Sequence, residues 1–374
     1  MLNNIYFSLI CIFTFVSLTA QTFTIDGINY TVTAGENVQV AANNCYTGAL
    51  IVPSNVTNNG ITYSVNSFAV GAFRDCVGLT SVTIPTTMNS IEFLTFLGCT
   101  NLSSVTIPNS VTSIRTAAFS GCTSLTSISI PNSVTTIENS AFSDSGLTSI
   151  TIPDTVISVY DAAFRNCNNL TTVVLSNSMS VISNETFSNC KKLTSVTIPN
   201  SIKGISLGAF SYCNSLSTIK IPSSVTSIGN YVFYGCTGLS SLICDIAIPL
   251  TIDSNVFFNV NQSACSLIVP ETSLNSYKIA PVWMNFNPIQ SSLSTNDFKI
   301  QKNVILFPNP VHNEAVLELK NSDSSQLEVS DMNGKLILKK SLINNSKNTI
   351  DTSNLPKGVY LFKVGKSVTK VIKD

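Results

Sequence analysis

Apolar residues recur along most of this chain at a fixed step. Phenylalanine stands at Phe73, Phe96, Phe119, Phe142, Phe164, Phe187, Phe210 and Phe233, each 23 residues after the last except for a step of 22 from Phe142 to Phe164. Cysteine follows three places later at Cys76, Cys99, Cys122, Cys167, Cys190, Cys213 and Cys236. Proline closes the unit at Pro85, Pro108, Pro131, Pro153, Pro199 and Pro222, with Ser176 in the one vacant slot. Self-similarity at such a period is the mark of a solenoid built from one turn per unit.

The pattern inside a unit predicts its elements. In LTSVTIP, Leu79 to Pro85, Val82 and Ile84 alternate with Ser81 and Thr83, the period of two expected of a half-buried strand. The aliphatic pair faces the core, the hydroxyl pair faces out, and the proline ends the strand because it has no amide hydrogen to donate. A polar turn such as Asn109-Ser110 leads to a second short alternation, Val111 to Ile114. The spacing Ala118-Phe119-x-x-Cys122-x-x-Leu125 then fits one helical turn or a tight bend that presses Phe, Cys and Leu onto the same core. About eight inward apolar side chains at ~1.5–3 kcal/mol each do not exceed the cost of ordering the backbone of a whole unit at ~1–2 kcal/mol per residue. A single unit therefore does not fold alone, and stacking is obligatory.

These residues carry a resemblance. The pattern A-F-x-x-C-x-x-L-x-x-[VI]-x-I-P-x-x-V-x-x-I, running over residues 50 to 270, is similar to the BspA-like leucine-rich repeats. The resemblance implies a mainly β fold: a curved leucine-rich-repeat solenoid with a parallel sheet on one face. It also implies a surface or secreted protein of the adhesin or binding kind.

Both ends of the array read as caps. Phe23 to Val32 alternates around Asp26-Gly27, a two-residue hairpin signal, and residues 21–72 form an N-terminal cap with a first divergent repeat at Leu50 to Pro53. The extra residues around Asn58-Asn59-Gly60 are expected as a surface loop. Residues 73–255 hold the repeats. Residues 256–288 resemble the terminal unit of such arrays, with Tyr277 and Trp283 covering the last turn, so the single tryptophan is a cap and not a binding platform.

Residues 289–303 are a polar linker, after which the composition changes. From Asp297 onward there are 12 Lys against 8 acidic residues, a balance of +4 that the rest of the chain offsets. Short alternating stretches and the Asn333-Gly334 turn signal predict a small C-terminal β-sandwich. FPNP (Phe307 to Pro310), EVSDMNGKLI (Glu328 to Ile337) and IDTSNLPKGVYLFKV (Ile350 to Val364) resemble the C-terminal sorting domain of the type IX secretion system, over residues 304–374. That resemblance implies a Bacteroidota protein that partners the secretion machinery through this segment. It is then released or attached at the outer-membrane surface once the domain is removed.

Residues 1–20 read as a secretory signal peptide, with a mostly apolar run from Ile5 to Leu18 and Leu18-Thr19-Ala20 before Gln21. The run is too short for a stable bilayer anchor, so no transmembrane segment is expected in the mature protein.

Charge and chemistry narrow the function. With 11% charged residues and a net charge of zero, there is no basic face for nucleic acid. The only histidine is His312, which leaves no basis for a histidine-based triad or a multi-histidine zinc site. No phosphate loop or nucleotide fingerprint is present, so no catalytic, cofactor or metal residues are assigned and a non-enzymatic protein is expected. The cysteine column is read as a ladder of small buried side chains rather than disulfides, because stacked Cβ vectors point the same way. Cys45 falls near the same register, and Cys244 and Cys265 are the one pair left open to a bridge.

The candidate ligand-binding face is the outward side of the sheet. Its columns are Ser81, Ser104, Ser127, Ser149, Thr172, Ser195, Thr218 and Thr83, Thr106, Ser129, Thr151, Val174, Thr197, Lys220. Hydroxyl residues suit any solvent-facing strand of a duplicated repeat, so the columns alone do not prove contact. Two functions fit them: binding an extracellular protein or polysaccharide, or a structural surface or biofilm component with no discrete ligand.

Overall fold

In the computed structural model, residues 21–42, 45–292, 304–319, 326–331, 334–343, 346–365 and 367–374 are described. The signal-peptide reading of residues 1–20 and most of the expected linker, residues 293–303, lie outside them. The chain divides into two compact units, Met1–Gln290 and Ser291–Asp374.

The first unit is a parallel solenoid whose turns have three walls. One wall is a sheet of strands including Gly48–Ile51, Leu79–Thr83 and Ser104–Thr106, then Ser149–Thr151, Thr172–Val174, Ser195–Thr197, Thr218–Ile221, Ser241–Cys244 and Ser266–Val269. A second wall is made of two-residue strands, from Ser90–Ile91 to Ser158–Val159 and from Val181–Ile182 to Ser227–Ile228. Registers follow the repeat, with Val82 opposite Val105 and Val173 opposite Val196.

The third wall carries the phenylalanines and is a tight bend, not a helix. In each turn the residues two before and two after Phe adopt positive φ, for example Leu94 and Gly98 around Phe96, or Ala162 and Asn166 around Phe164. This geometry aims alternate N–H groups at the following turn. Leu94, Phe96 and Gly98 donate to the carbonyls of Thr116, Ala118 and Ser120 at 2.8–3.0 Å. The triplet recurs through Gly208, Phe210 and Tyr212, the last donating to Tyr234 at 2.6 Å. Left-handed backbone costs most residues about 1–3 kcal/mol, which accounts for Asp75, Gly98, Gly121, Asp144, Asn166, Asn189 and Gly235 at the second position.

Inside this wall the rings stack. From Phe73 to Phe257, successive centroids lie 5.3–5.9 Å apart with planes 2–13° from parallel. Rings in face contact would sit about 3.5–4.0 Å apart, so these are slipped sideways, the arrangement their quadrupoles favour. Phe257 extends the series beyond the eight regular repeats. Phe68 closes one end edge-on, and Trp283 with Phe286 closes the other. The Trp283 indole donates to the Leu250 carbonyl at 2.8 Å, and Tyr277 donates to that of Ile246 at 2.9 Å.

The thiols serve the same wall. Cys99 donates to the Phe73 carbonyl at 3.0 Å, Cys190 to Phe164 at 3.2 Å and Cys236 to Phe210 at 3.0 Å. The slot therefore selects a small side chain that also donates weakly, and Ser145, in the shortened turn, meets the Cys167 sulfur at 3.3 Å. All ten cysteines among the described residues are free thiols and nine are buried. Cys45 departs from the expected register: it is exposed, and the backbone of its neighbour Tyr46 contacts the Cys76 thiol instead. Cys244 and Cys265 are not bridged, the former meeting the Tyr277 hydroxyl at 3.2 Å.

The N-terminal cap is a sheet ordered Thr22–Ile25, Ile28–Val32, Asn37–Val40, Ile61–Phe68, Asn55–Asn58. Asp26-Gly27 forms its first hairpin, both residues at positive φ. The segment expected as a loop, Asn58-Asn59-Gly60, is a second hairpin turn of the same kind, with Asn58 opposite Ile61. It pairs because Asn37–Val40 supplies a parallel partner for Ile61–Phe68 from far back in the chain.

A second departure lies in the large sheet, which is interrupted at Ser127–Ile130. These residues pair with neither Ser104–Thr106 nor Ser149–Thr151. The interruption adjoins the 22-residue turn. There Gly146 is drawn under the preceding turn, its N–H donating to the Cys122 carbonyl at 3.1 Å. A Cβ on Gly146 would stand 2.0 Å from the Thr123 oxygen, so only glycine fits. Ser127–Ile130, held between a full turn and a shortened one, matches neither hydrogen-bond register. The second wall breaks elsewhere, between Ser158–Val159 and Val181–Ile182, while the phenylalanine wall runs through both places.

The second unit is a β-sandwich of two antiparallel sheets. One contains Val304–Phe307, Glu314–Leu319 and Lys347–Asp351; the other contains Leu336–Ser341, Gln326–Asp331, Gly358–Val364 and Ser367–Lys373. Val311, Leu317, Val329, Ile350 and Phe362 share its core.

Replacing Phe164 by Ala removes a ring from the middle of the stack and is expected to lower stability by about 3–5 kcal/mol, read as a lower urea midpoint. Burial pushes the thiols of Cys99, Cys167 and Cys236 up to about 12 from 9.0. A raised folded-state pKa contributes stability that is complete below the unfolded value and is lost as pH rises toward the folded one. The melting temperature should therefore fall steeply from about pH 9 upward, and less steeply in a Cys99→Ala, Cys236→Ala variant. Iodoacetamide at pH 8 should label Cys45 in the native protein and the other thiols only after denaturation.

Candidate binding face

The large sheet presents its hydroxyl columns as the alternation requires. Ser81, Ser104, Ser149, Thr172, Ser195 and Thr218 stand in one row, joined by the pairs Ser81↔Ser104, Ser149↔Thr172 and Thr172↔Ser195. Thr83, Thr106, Thr151, Val174, Thr197 and Lys220 form the other, with Thr83↔Thr106, Val174↔Thr197 and Thr197↔Lys220. All are exposed except Ser81, which is half-buried. Ser127 and Ser129 are exposed as well but lie in the interruption, so the face is two panels rather than one. Between them runs a cleft of about 410 Å³, lined by Ser127, Ser129, Asn132, Ser149 and Thr151 among others.

The rows extend further than the repeat pattern indicated. Ser241 and Ser266 continue the first, while the second begins at Ile51 and ends through Ile243 at Ile268. Ile51 is 75% exposed and Val174 56%, so the second row carries apolar points at its edge and centre. Lys220 is no free cation, because its ammonium lies 2.8 Å from the Asp245 carboxylate.

Hydrogen bonding separates these hydroxyls from others in the repeat. The Thr and Ser one place before the first row bind back to the preceding turn. Ser103 donates to the Thr80 carbonyl at 3.1 Å, Thr171 to Thr148 at 2.9 Å and Ser240 to Ser217 at 3.1 Å. Thr112, Thr135 and Thr226 do the same on the second wall. By contrast, the side-chain hydroxyls of Ser104, Thr106, Ser149, Thr151, Thr172, Ser195, Thr197 and Thr218 have no hydrogen-bond partner within the protein among the described residues. The fold uses one set of hydroxyls and leaves the other free.

Among the described residues, no group of three His, Cys, Asp or Glu side chains is placed to hold a metal ion. No helix among them is long and apolar enough to cross a membrane.

Comparison with known proteins agrees with the architecture. Residues 45–171 and 157–278 match the model of the BspA type leucine rich repeat region, in six copies. Residues 305–374 match the secretion system C-terminal sorting domain. A leucine-rich repeat protein from Bacteroides ovatus is 30% identical, with 72% of this chain and 76% of that chain covered and a TM-score of 0.56. The T. pallidum leucine rich repeat protein TpLRR is 27% identical over 59% of this chain and 91% of its own, with a TM-score of 0.42. No curated protein matches. The stacked Phe-x-x-Cys turns and their hydroxyl sheet therefore place this chain in the BspA-type leucine-rich-repeat family, with a C-terminal secretion-system sorting domain behind the repeats.

Proposed function

We propose that this is a non-enzymatic, adhesin-like protein, exported through the type IX secretion system, that holds an extracellular protein or polysaccharide on the outward face of its large sheet. The sorting domain at 305–374 supports the route. The observation that carries the binding reading is the split between engaged and free hydroxyls. The turn-binding column is explained by the fold, whereas the two outward columns do nothing for it. Free hydroxyls at the regular spacing of parallel strands suit a partner that bonds repeatedly along its length, and Ile51 and Val174 add apolar contact. Individually weak contacts of this kind gain strength by repetition on a rigid surface.

The purified protein should retain one class of immobilised matrix protein or surface polysaccharide saturably. A Thr106→Trp, Thr151→Trp variant should weaken that retention at least tenfold, about 1.4 kcal/mol, with stability within about 0.5 kcal/mol of the parent because both sites are exposed. Surface plasmon resonance and thermal melts read the two effects. Retention of nothing but other copies of the chain would replace this reading with that of a self-assembling structural component.

A further inference from the structure

The phenylalanine wall carries a second surface feature, remote in chemistry from the hydroxyl sheet. Two residues after each repeat Phe the backbone is left-handed, and glycine, asparagine or aspartate fills the position in every turn from Phe73 to Phe233 but one. The exception is Tyr212, at φ +58°. The other left-handed position, two residues before Phe, is taken by tyrosine only at Tyr231, at φ +60°. A bulky side chain in this region is an outlier, and such outliers cluster where a function holds them; the position before Phe also admits Leu94 and Glu185, so Tyr212 is the one that stands apart. Both tyrosines fall in neighbouring turns and both leave almost half their surface in solvent, Tyr212 46% and Tyr231 45% exposed.

They build an aromatic strip. Tyr212 and Tyr231 each meet Tyr234 edge-on, at 5.0 and 5.6 Å between centroids. Tyr234 stacks on the exposed Phe258 of the next turn at 5.6 Å with planes 6° apart. The neighbouring turn makes room for this, since a Cβ on Gly235 would lie 2.8 Å from the Tyr212 ring. Three successive turns thus present four rings, two of them, Tyr231 and Tyr234, from the middle turn. Tyr212 also divides two adjoining cavities. On its aromatic side lies one of about 410 Å³ between Leu207, Tyr231 and Tyr234. On its polar side lies one of about 450 Å³ lined by Arg165, Asn166, Glu185, Asn189, Lys191 and Asn214. The Arg165 guanidinium holds Glu185 at 2.7 Å, and Asn189 donates to Asn166 at 2.8 Å, so the polar side is fixed, and with Lys191 beside that pair its lining carries a net charge of +1.

We propose that this groove is a carbohydrate-binding site, taking an extended chain of pyranose sugars along the solenoid axis. A pyranose has an apolar C–H face and a rim of hydroxyls. Ring faces beside planar amide, carboxylate and guanidinium groups match both, the amides donating and accepting at once. A single cation, Lys191, beside the Arg165–Glu185 pair in an otherwise uncharged and open two-part cavity is too little to hold a polyanion and suits a neutral polymer better. Successive turns of a parallel stack advance about 4.8 Å, close to the advance of one sugar in an extended chain, so consecutive sugars meet equivalent positions on consecutive turns.

The test is affinity electrophoresis of the full chain through gels containing xylan, mannan, laminarin or hydroxyethylcellulose, with chondroitin sulfate as the anionic control. At least one neutral polysaccharide should retard the protein. Tyr212→Asn, the residue of the preceding turns, and independently Tyr231→Ser should each weaken retardation at least tenfold. Tyr212→Asn should hold or raise the melting temperature, because it removes a strained side chain. The Thr106→Trp, Thr151→Trp variant should be retarded like the parent, which separates this site from the sheet face. Absence of retardation by every neutral polysaccharide, or retardation that both tyrosine variants leave unchanged, overturns the proposal.

Discussion

Everything in the solenoid rests on the three hydrogen bonds that each phenylalanine turn sends forward to the next. They require a backbone that turns left-handed on both sides of the ring, and this is the one wall that never breaks. Each sheet is interrupted once, at different turns, and the stack tolerates it because forward donation and ring contact continue underneath. Loss of one residue before Gly146 disturbs the sheet wall and leaves the Phe142 to Phe164 ring spacing at 5.4 Å. The strands, the part of such a fold first noticed, are the more expendable connection here.

That hierarchy explains what the amino-acid order discloses and what it conceals. The Phe and Cys periods, the strand alternation, the Asp26-Gly27 hairpin and the roles of Tyr277 and Trp283 are local or strictly periodic, and all are legible. The interruption at Ser127–Ile130 is not, because that segment belongs to the most regular copy of the repeat and its lost pairing comes from a neighbour. Asn59-Gly60 carries the same two-residue hairpin signal as Asp26-Gly27, so the turn was legible, and only its parallel partner Asn37–Val40 was not. Cys45 falls near the register but 31 residues before Cys76 rather than 23, and the backbone of Tyr46 meets the Cys76 thiol in its place. The hydroxyl face of the sheet was legible as columns but not as free or engaged hydroxyls, a distinction that needs coordinates. Tyr212 was open to discovery, since a tyrosine among Gly, Asn and Asp at one repeat position breaks a rule written in the sequence.

The three walls divide the labour of the molecule. Inward positions are spent on stacking, the hydroxyls next to the turns tie each coil to the one before, and only two outward columns and one aromatic strip are left uncommitted. A repeat that duplicates faithfully inherits the first two automatically. Departures on the uncommitted surfaces leave the fold alone, and Lys220 with Asp245, Val174 and the tyrosines all fall there or beside them.

The thiol column has a consequence for the life of the chain outside the cell. Its seven sulfhydryls, with those of Cys244 and Cys265, are protected by burial in the fold, and none of the cysteines among the described residues is locked in a disulfide. An oxidising compartment rewards any pairing of thiols that meet before burial. The unfolded polypeptide therefore runs a race in which completing the coil preserves the sulfur and delay invites crosslinks among near-identical segments. A scaffold this repetitive offers many wrong partners, which makes speed of assembly, rather than final stability, the property under strongest demand.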